Sequence, residues 1–242
     1  DVSITLTADA QLTTTPTQLI FTASNWNVAQ TATVSAADDP VAEGAHSGGI
    51  DFAVSSADAG FNGLSLAPLA VSVSDNDVAS VILSESDGAT AVSEAGGTDT
   101  YSLALGAAPT GTVVISVLGD TQVSAAPTSL SFTAADWNLP QTVTVTALDD
   151  AAAEGAHSGV LTHSASGAGF DGISIASVVA SITDNDFTVG GSVSGLAGTG
   201  LVLQNNGADD LALSSDGDFT FGTALSDGSS YAVTVLNQPA GQ

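Results

Sequence analysis

Apolar and polar residues alternate with a period of two along most of the chain. The runs VSITLTA, QTATVSA, LAVSVSD, VASVILS, DTYSLAL, TVVISVL, SLSFTA, QTVTVTA, GISIAS and VVASITD all follow it. Successive side chains of a strand point to opposite faces, so the alternation predicts strands with one buried and one wet face. Turn-formers separate the runs at short intervals and β-branched residues are dense within them. That is the pattern of an all-β sandwich of short strands. No segment carries a convincing helical stripe. Beyond Phe187, GGSVSG, TGLVLQ, DDLALS, DFTFGT and SYAVTVL read as short strands of a different β module.

The alternation repeats on a larger scale. LIFTASNWNVAQTATV matches LSFTAADWNLPQTVTV, ADDPVAEGAHSG matches LDDAAAEGAHSG, and SDNDVAS matches TDNDFTV. Trp26 and Trp137, Glu43 and Glu154, and His46 and His157 are each 111 residues apart, whereas Phe61 and Phe170, and Asp75 and Asp184, are 109 apart. A unit of this length fits a tandem array of autonomous domains, not a solenoid. The expected division is residues 1–77, a copy lacking its first strands, then 78–186, a complete copy, then 187–242, a smaller partial module. Ser3 to Leu6 align with Val114 to Val117, so VASVILSES and DTYSLAL have no counterpart in the first copy. The chain reads as an excerpt cut inside a domain at both ends. Its open edges are expected to pair with flanking chain or with another subunit by strand addition.

Charge changes the picture. There are 26 Asp and Glu, no Lys and no Arg, although charged residues make up only 11% of the chain. No carboxylate can be neutralised by a basic side chain other than histidine, so converging carboxylates must share a proton or hold a cation. Nucleic acid is excluded as a partner because nothing could neutralise its phosphates, and an anionic membrane surface is excluded for the same reason. Salt adaptation would scatter acids over the surface. Here they cluster: Asp9, Asp38, Asp39, Glu43, Asp75 and Asp77 in the first copy, and Glu94, Asp120, Asp149, Asp150, Glu154, Asp184 and Asp186 in the second. The absence of cysteine removes disulfides and thiolate metal sites, and no apolar run is long enough to span a membrane. The Ser, Thr, Ala, Gly and Val-rich makeup points to an extracellular, secreted or cell-surface location.

With VSEAGGTDTYSLAL near its start, DDAAAEG in the middle and ITDND at its end, the second copy resembles the Calx-beta domain. That family comprises calcium-binding, immunoglobulin-like β-sandwiches of exchangers and bacterial surface proteins. The resemblance implies calcium at one end of the sandwich, held by Glu94, Asp120, Asp149, Asp150, Glu154, Asp184 and Asp186. In the first copy it implies Asp9, Asp38, Asp39, Glu43, Asp75 and Asp77, without the early Glu. The family often has a second acid directly after the middle Glu, where this chain has EGAHSG. Oxygen donors from several loops suit calcium, which takes six to eight ligands in a flexible shell. Magnesium would demand a stricter octahedron, and zinc would call for His or Cys. The competing reading of DD and DND is turn chemistry alone.

His46 and His157, beside Ser47 and Ser158, invite a triad reading, but no oxyanion site accompanies them and a hydrogen-bonded structural role is expected. Trp26 and Trp137 are expected to seal the sandwich, with carbohydrate stacking as the alternative. GTG at 198–200 is turn sequence and no phosphate loop, since no helix follows. The combined reading is a non-enzymatic, calcium-stiffened segment of an extracellular stalk or filament, structural or adhesive. Its partners are neighbouring domains or further copies of itself. The alternative is a module that binds a glycan or a host surface.

Overall fold

The alternating runs become strands where a neighbouring strand is present to take their backbone groups. In the computed structural model, which describes residues 1–241, the fold is all-β, and its one helical element is a 3-10 turn at Ser86–Gly88. The first copy supplies β1 (Val2–Ala8), β2 (Leu12–Thr15), β3 (Gln18–Phe21), β4 (Thr33–Ala36), β5 (His46–Ser56) and β6 (Leu69–Val73). They build a sheet of order β3-β1-β5-β6 and a ribbon β2-β4.

The second copy supplies β7 (Val81–Glu85), β8 (Thr90–Ser93), β9 (Thr98–Leu105), β10 (Val113–Gly119) and β11 (Val123–Ala126). It continues with β12 (Ser129–Phe132), β13 (Gln141–Ala147), β14 (His157–Ser166) and β15 (Val178–Thr183). Its two sheets, β12-β10-β14-β15-β8 and β11-β13-β9-β7, enclose one core. Val113, Ile115, Leu103, Leu105, Val143, Val145, Phe132 and Phe170 are all 0% exposed there. The inward residues are alternate members of the runs, as the period requires. The first copy has a smaller core of Leu6, Leu12, Ile50 and Val73.

Three expectations are corrected by the structure. GISIAS does not form a strand; residues 173–177 are irregular, yet Ile173 and Ile175 still pack on the core. Their alternation reports burial without a ladder partner. QTATVSA becomes a strand only over Thr33–Ala36, whereas the matching QTVTVTA is extended throughout as β13. The extra residues of β13 pair with β9, Gln141 opposite Leu103 and Val143 opposite Tyr101, and among the described residues no strand takes the matching edge of β4. For the same reason Trp26 does not seal anything. It is 72% exposed, while Trp137 packs on the core beneath β9 and accepts the Leu105 N–H at 2.8 Å.

The remaining chain forms β16 (Asp186–Phe187), β17 (Gly190–Val193), β18 (Leu201–Asn205), β19 (Asp209–Leu213), β20 (Gly217–Thr220), β21 (Leu225–Ser226) and β22 (Val233–Asn237). These pair as β16-β21, β17-β20 and β19-β18-β22 over a small core of Val189, Leu201, Leu203 and Phe221. All five expected strands are present, with the two-residue β16 and β21 added. Backbone contacts cross both joints. Ala42 N–H donates to the Ala108 carbonyl at 3.0 Å and Ala108 N–H to the Pro40 carbonyl at 2.7 Å. Asp227 N–H donates to the Asn185 carbonyl at 2.7 Å.

Candidate metal centre

A parallel ladder sets up the acidic end of the second copy. β15 and β8 run side by side, with Thr183 opposite Ser93, and Glu94 N–H continues the ladder onto the Thr183 carbonyl at 3.1 Å. The next residues out, Glu94 and Asp184, therefore leave the sheet together. β14 starts at the same end, with His157 opposite Ile182. β13 finishes there too, two residues before Asp149. Four separate segments thus deliver acids or an imidazole to one rim.

Glu94 is the centre of this group. Its residue is 6% exposed, and neither carboxylate oxygen has a hydrogen-bond partner. Burial, and then the charge of Asp184, push its carboxyl above the usual range. Ligand atoms of Glu94, Asp149 and Asp186 lie within 4.8 Å of one another, as do those of Glu94, Glu154 and His157. Asp186 is 5% exposed and its Oδ2 is also unpartnered, while Oδ1 accepts the Ser226 hydroxyl at 3.0 Å. Asn185 Oδ1 and Gln122 Oε1 are buried without partners as well. An isolated buried carboxylate is costly. Buried Glu94 and Asp186 oxygens without hydrogen-bond partners, grouped with Asp149 in a chain without Lys or Arg, fit a hard cation with oxygen ligands.

Histidine supplies what positive charge the chain can offer here. His157 Nε2 lies 3.6 Å from Glu94 and 3.5 Å from Glu154, and its Nδ1 pairs with the Gly155 carbonyl at 2.9 Å. That carbonyl contact and the neighbouring carboxylates raise its pKa above the ordinary value. Ser158 is adjacent on the strand and makes no hydrogen bond to the ring, and in the first copy His46 bonds Gly44 and Gln11 instead of Ser47. Neither histidine is arranged as a nucleophile's base.

The other expected acids accept backbone N–H groups. Asp184 accepts the Gly155 and Asp186 N–H groups at 2.6 and 2.7 Å, which hold its pKa down. Asp120 accepts Gln122 N–H at 2.9 Å and Val160 N–H at 2.7 Å, so both oxygens brace the β10–β11 turn against β14. Gly159 belongs to that brace; a Cβ there would stand 2.6 Å from Val123 Cγ1. Asp150 caps its own turn through Ala152 N–H at 2.7 Å.

In the first copy Asp9 repeats the Asp120 brace, onto Gln11 and Gly49. Asp75 accepts the N–H groups of Glu43, Gly44 and Asp77, which lower its pKa. Asp38 accepts from Asn76 and Asp39 from Val41. Burial and the charges of Asp75, Asp38 and Asp39 raise the pKa of Asp77. Glu43 meets Gln11 Nε2 at 3.3 Å and His46 at 3.5 Å. Among the described residues, both close acid groupings fall in the second copy. The first lacks a residue like Glu94. Missed by sequence reasoning were Asn185 and Gln122; the match of Gln122 to Gln11 across the repeat was the available signal.

No protein-family model matches the chain, and no curated protein matches it. Among solved structures, the surface layer protein SbsC (domains 1–6) aligns over 81% of this chain and 29% of its own, at 12% identity and a TM-score of 0.31. The chain therefore corresponds to less than a third of that protein, and so low a score carries no argument about role.

Proposed function

We propose that the chain is an extracellular structural or adhesive segment of Calx-beta type, in which calcium at the domain ends stiffens the array. The observation that carries the reading is Glu94: a buried carboxylate whose oxygens accept no hydrogen bond, grouped with Asp149 and Asp186 and with Glu154 and His157. Asp186 adds a mechanical link, because its Oδ1 holds Ser226 of the following module while its Oδ2 turns free. An ion bridging Glu94 and Asp186 would tie the acidic rim to the next joint. Asp120 serves the site by bracing its turn, and Asp9 braces the matching turn of the first copy.

Thermal melting tests this. With free calcium at tenfold its dissociation constant, one site adds about 1.4 kcal/mol of stability, and magnesium adds much less. Asp149→Asn combined with Glu154→Gln removes most of the response. A melting curve indifferent to both calcium and chelator would sink the proposal.

A second reading has its own observation. Phe187 and Tyr231, 55% and 65% exposed, flank a trough that also contains Asp227 and Ser229. Exposed aromatic faces beside hydrogen-bonding groups suit sugar rings. Saturable quenching of Tyr231 emission by oligosaccharides would favour a glycan-binding role for this module.

A further inference from the structure

Asp39–Pro40 is the one Asp–Pro pair in the chain, and it lies on the exposed connection between β4 and β5. The turn there has a defined form. Asp39 Oδ1 accepts the Val41 N–H at 2.9 Å, so the carboxylate folds back over its own peptide bond to Pro40. The same turn recurs at Asp150, whose Oδ1 accepts the Ala152 N–H at 2.7 Å, but there the next residue is Ala151. The two copies thus hold the same carboxylate arrangement against two different peptide bonds.

Both sides of the Asp39–Pro40 bond are anchored. Before it, Ala37 N–H donates to the Gln11 carbonyl at 2.9 Å, and Asp38 accepts the Asn76 side-chain amide at 3.1 Å. After it, the Pro40 carbonyl accepts the Ala108 N–H at 2.7 Å and Val41 bridges to Ala108. Asp39 and Pro40 are themselves exposed, so water reaches the bond. Proline then decides which reaction is open. After an Asp, a backbone nitrogen that carries hydrogen can attack the side-chain carboxyl and close a succinimide. Proline has no N–H, which shuts that path. What remains is the reverse attack, side-chain oxygen onto backbone carbonyl carbon, with the tertiary amide nitrogen as leaving group.

We infer that the first copy cuts its own chain between Asp39 and Pro40, with the Asp39 carboxylate as nucleophile. A carboxylate oxygen bonds to the Asp39 carbonyl carbon and closes a five-membered cyclic anhydride. The C–N bond to Pro40 breaks, its electron pair stays on the nitrogen, and the nitrogen takes a proton from water. The hydroxide so formed opens the anhydride, which restores the side-chain carboxyl and leaves a new α-carboxyl on Asp39. One water is consumed and nothing is oxidised or reduced. The products are residues 1–39 and 40–242. The first carries β1–β4 and stays on the second through the β1–β5 ladder, from Val2 opposite Ser56 to Ala8 opposite Ile50. The cut therefore leaves the first copy assembled while ending its covalent continuity.

The test follows intact mass while the full chain is incubated at one fixed pH, folded in buffer and, in parallel, unfolded in urea. Chelator is present throughout, so the outcome is independent of any bound cation. Fragments ending at Asp39 and starting at Pro40 are expected, formed about tenfold or more faster in the folded chain, because an oriented nucleophile outruns a free one. Asp39→Asn and Pro40→Ala should each stop the cut at unchanged melting temperature. Asp39→Glu keeps the charge but needs a six-membered ring, and should slow it. Ala151→Pro should install a second cut after Asp150. Equal rates in the folded and unfolded chains would overturn the inference, leaving only the ordinary lability of an Asp–Pro bond. Cleavage that survives Asp39→Asn would overturn it too, as would an Ala151→Pro chain that stays whole after Asp150.

Discussion

The hydroxyl of Tyr101 crosses the sandwich from one sheet to the other and donates to Nε2 of His163, 2.8 Å away. The tautomer follows from the other nitrogen, since Nδ1 faces the Ala176 carbonyl at 2.8 Å and must donate to it. The rings meet edge to face at 5.4 Å. His163 is thereby kept neutral, and burial lowers its pKa below the ordinary 6.5. Burial likewise pushes the Tyr101 phenol upward.

This pair makes stability depend on pH with a definite sign. The folded pKa of His163 is depressed, so the unfolded chain takes up its proton first as pH falls. Its contribution is complete above about pH 6.5 and declines below that value. His157 runs the other way. Its folded pKa is raised, so its contribution is present below the unfolded value and is lost as pH rises through the folded one. Replacing Tyr101 and His163 together by phenylalanine should remove the acid-side decline while leaving the His157 trend. Chemical denaturation of both proteins at pH 5 to 7 checks it; identical pH slopes would refute the assignment.

Glu94 should show a trade-off between stability and binding. Its raised pKa means that the charged form is strained when no cation is bound. Glu94→Gln should therefore stabilise the calcium-free protein, on the order of 1 kcal/mol. The same change should abolish the calcium-dependent rise in melting temperature. A variant that is less stable without calcium would mark Glu94 as an ordinary structural residue.

The duplicated aromatics allow an internal control. Phe170 is 0% exposed and Phe61 half exposed. Truncating Phe170 to alanine should cost about 3–5 kcal/mol, the usual loss for a core aromatic, whereas Phe61→Ala should cost under about 1 kcal/mol. Hydrogen exchange on β14 and β5 separates the two copies, and comparable losses would contradict the difference in packing.

The first joint should be short and straight. Asp77 is followed directly by Val78, and the Ala42–Ala108 and Ala108–Pro40 hydrogen bonds clamp it from the side. Ala108→Pro removes the N–H given to Pro40 and should widen the distribution of interdomain angles in single-particle images. Under the calcium proposal, a chelator should widen it as well. Equal spread with and without chelator would leave Asp75 and Asp77 as turn residues.

Much of the architecture was legible because period-two alternation reports burial directly. Val113, Ile115 and Val117 all point inward as their spacing requires. Alternation does not report pairing, which is why Ile173 and Ile175 pack on the core without forming a strand. The acidic rim was visible as matched acids, but spacing cannot show which lone pairs the backbone will claim. Asp120 and Asp184 spend theirs on N–H groups, whereas the Glu94 oxygens accept no hydrogen bond and have His157 as an ionic neighbour. The Tyr101–His163 bond joins residues 62 apart on different sheets, and no local pattern announces such a pair. The exposure of Trp26 is not legible in its own segment, because the burial of Trp137 depends on β9, and among the described residues no strand lies in that place beside β4.

The parallel pairing of β8 with β15 has a mechanical consequence. Chain enters this ladder at Thr90, opposite Ala180, and leaves it at Thr183, opposite Ser93. Tension that reaches Thr90 and Thr183 is thus directed along the strands, and the hydrogen bonds between them are loaded together in shear. Antiparallel neighbours pulled from one end would instead open one bond at a time. Glu94 and Asp184 sit at the exit of that ladder, so an ion held there would act as a bolt across it. Under the calcium proposal, the force needed to shear this ladder should fall when calcium is withdrawn.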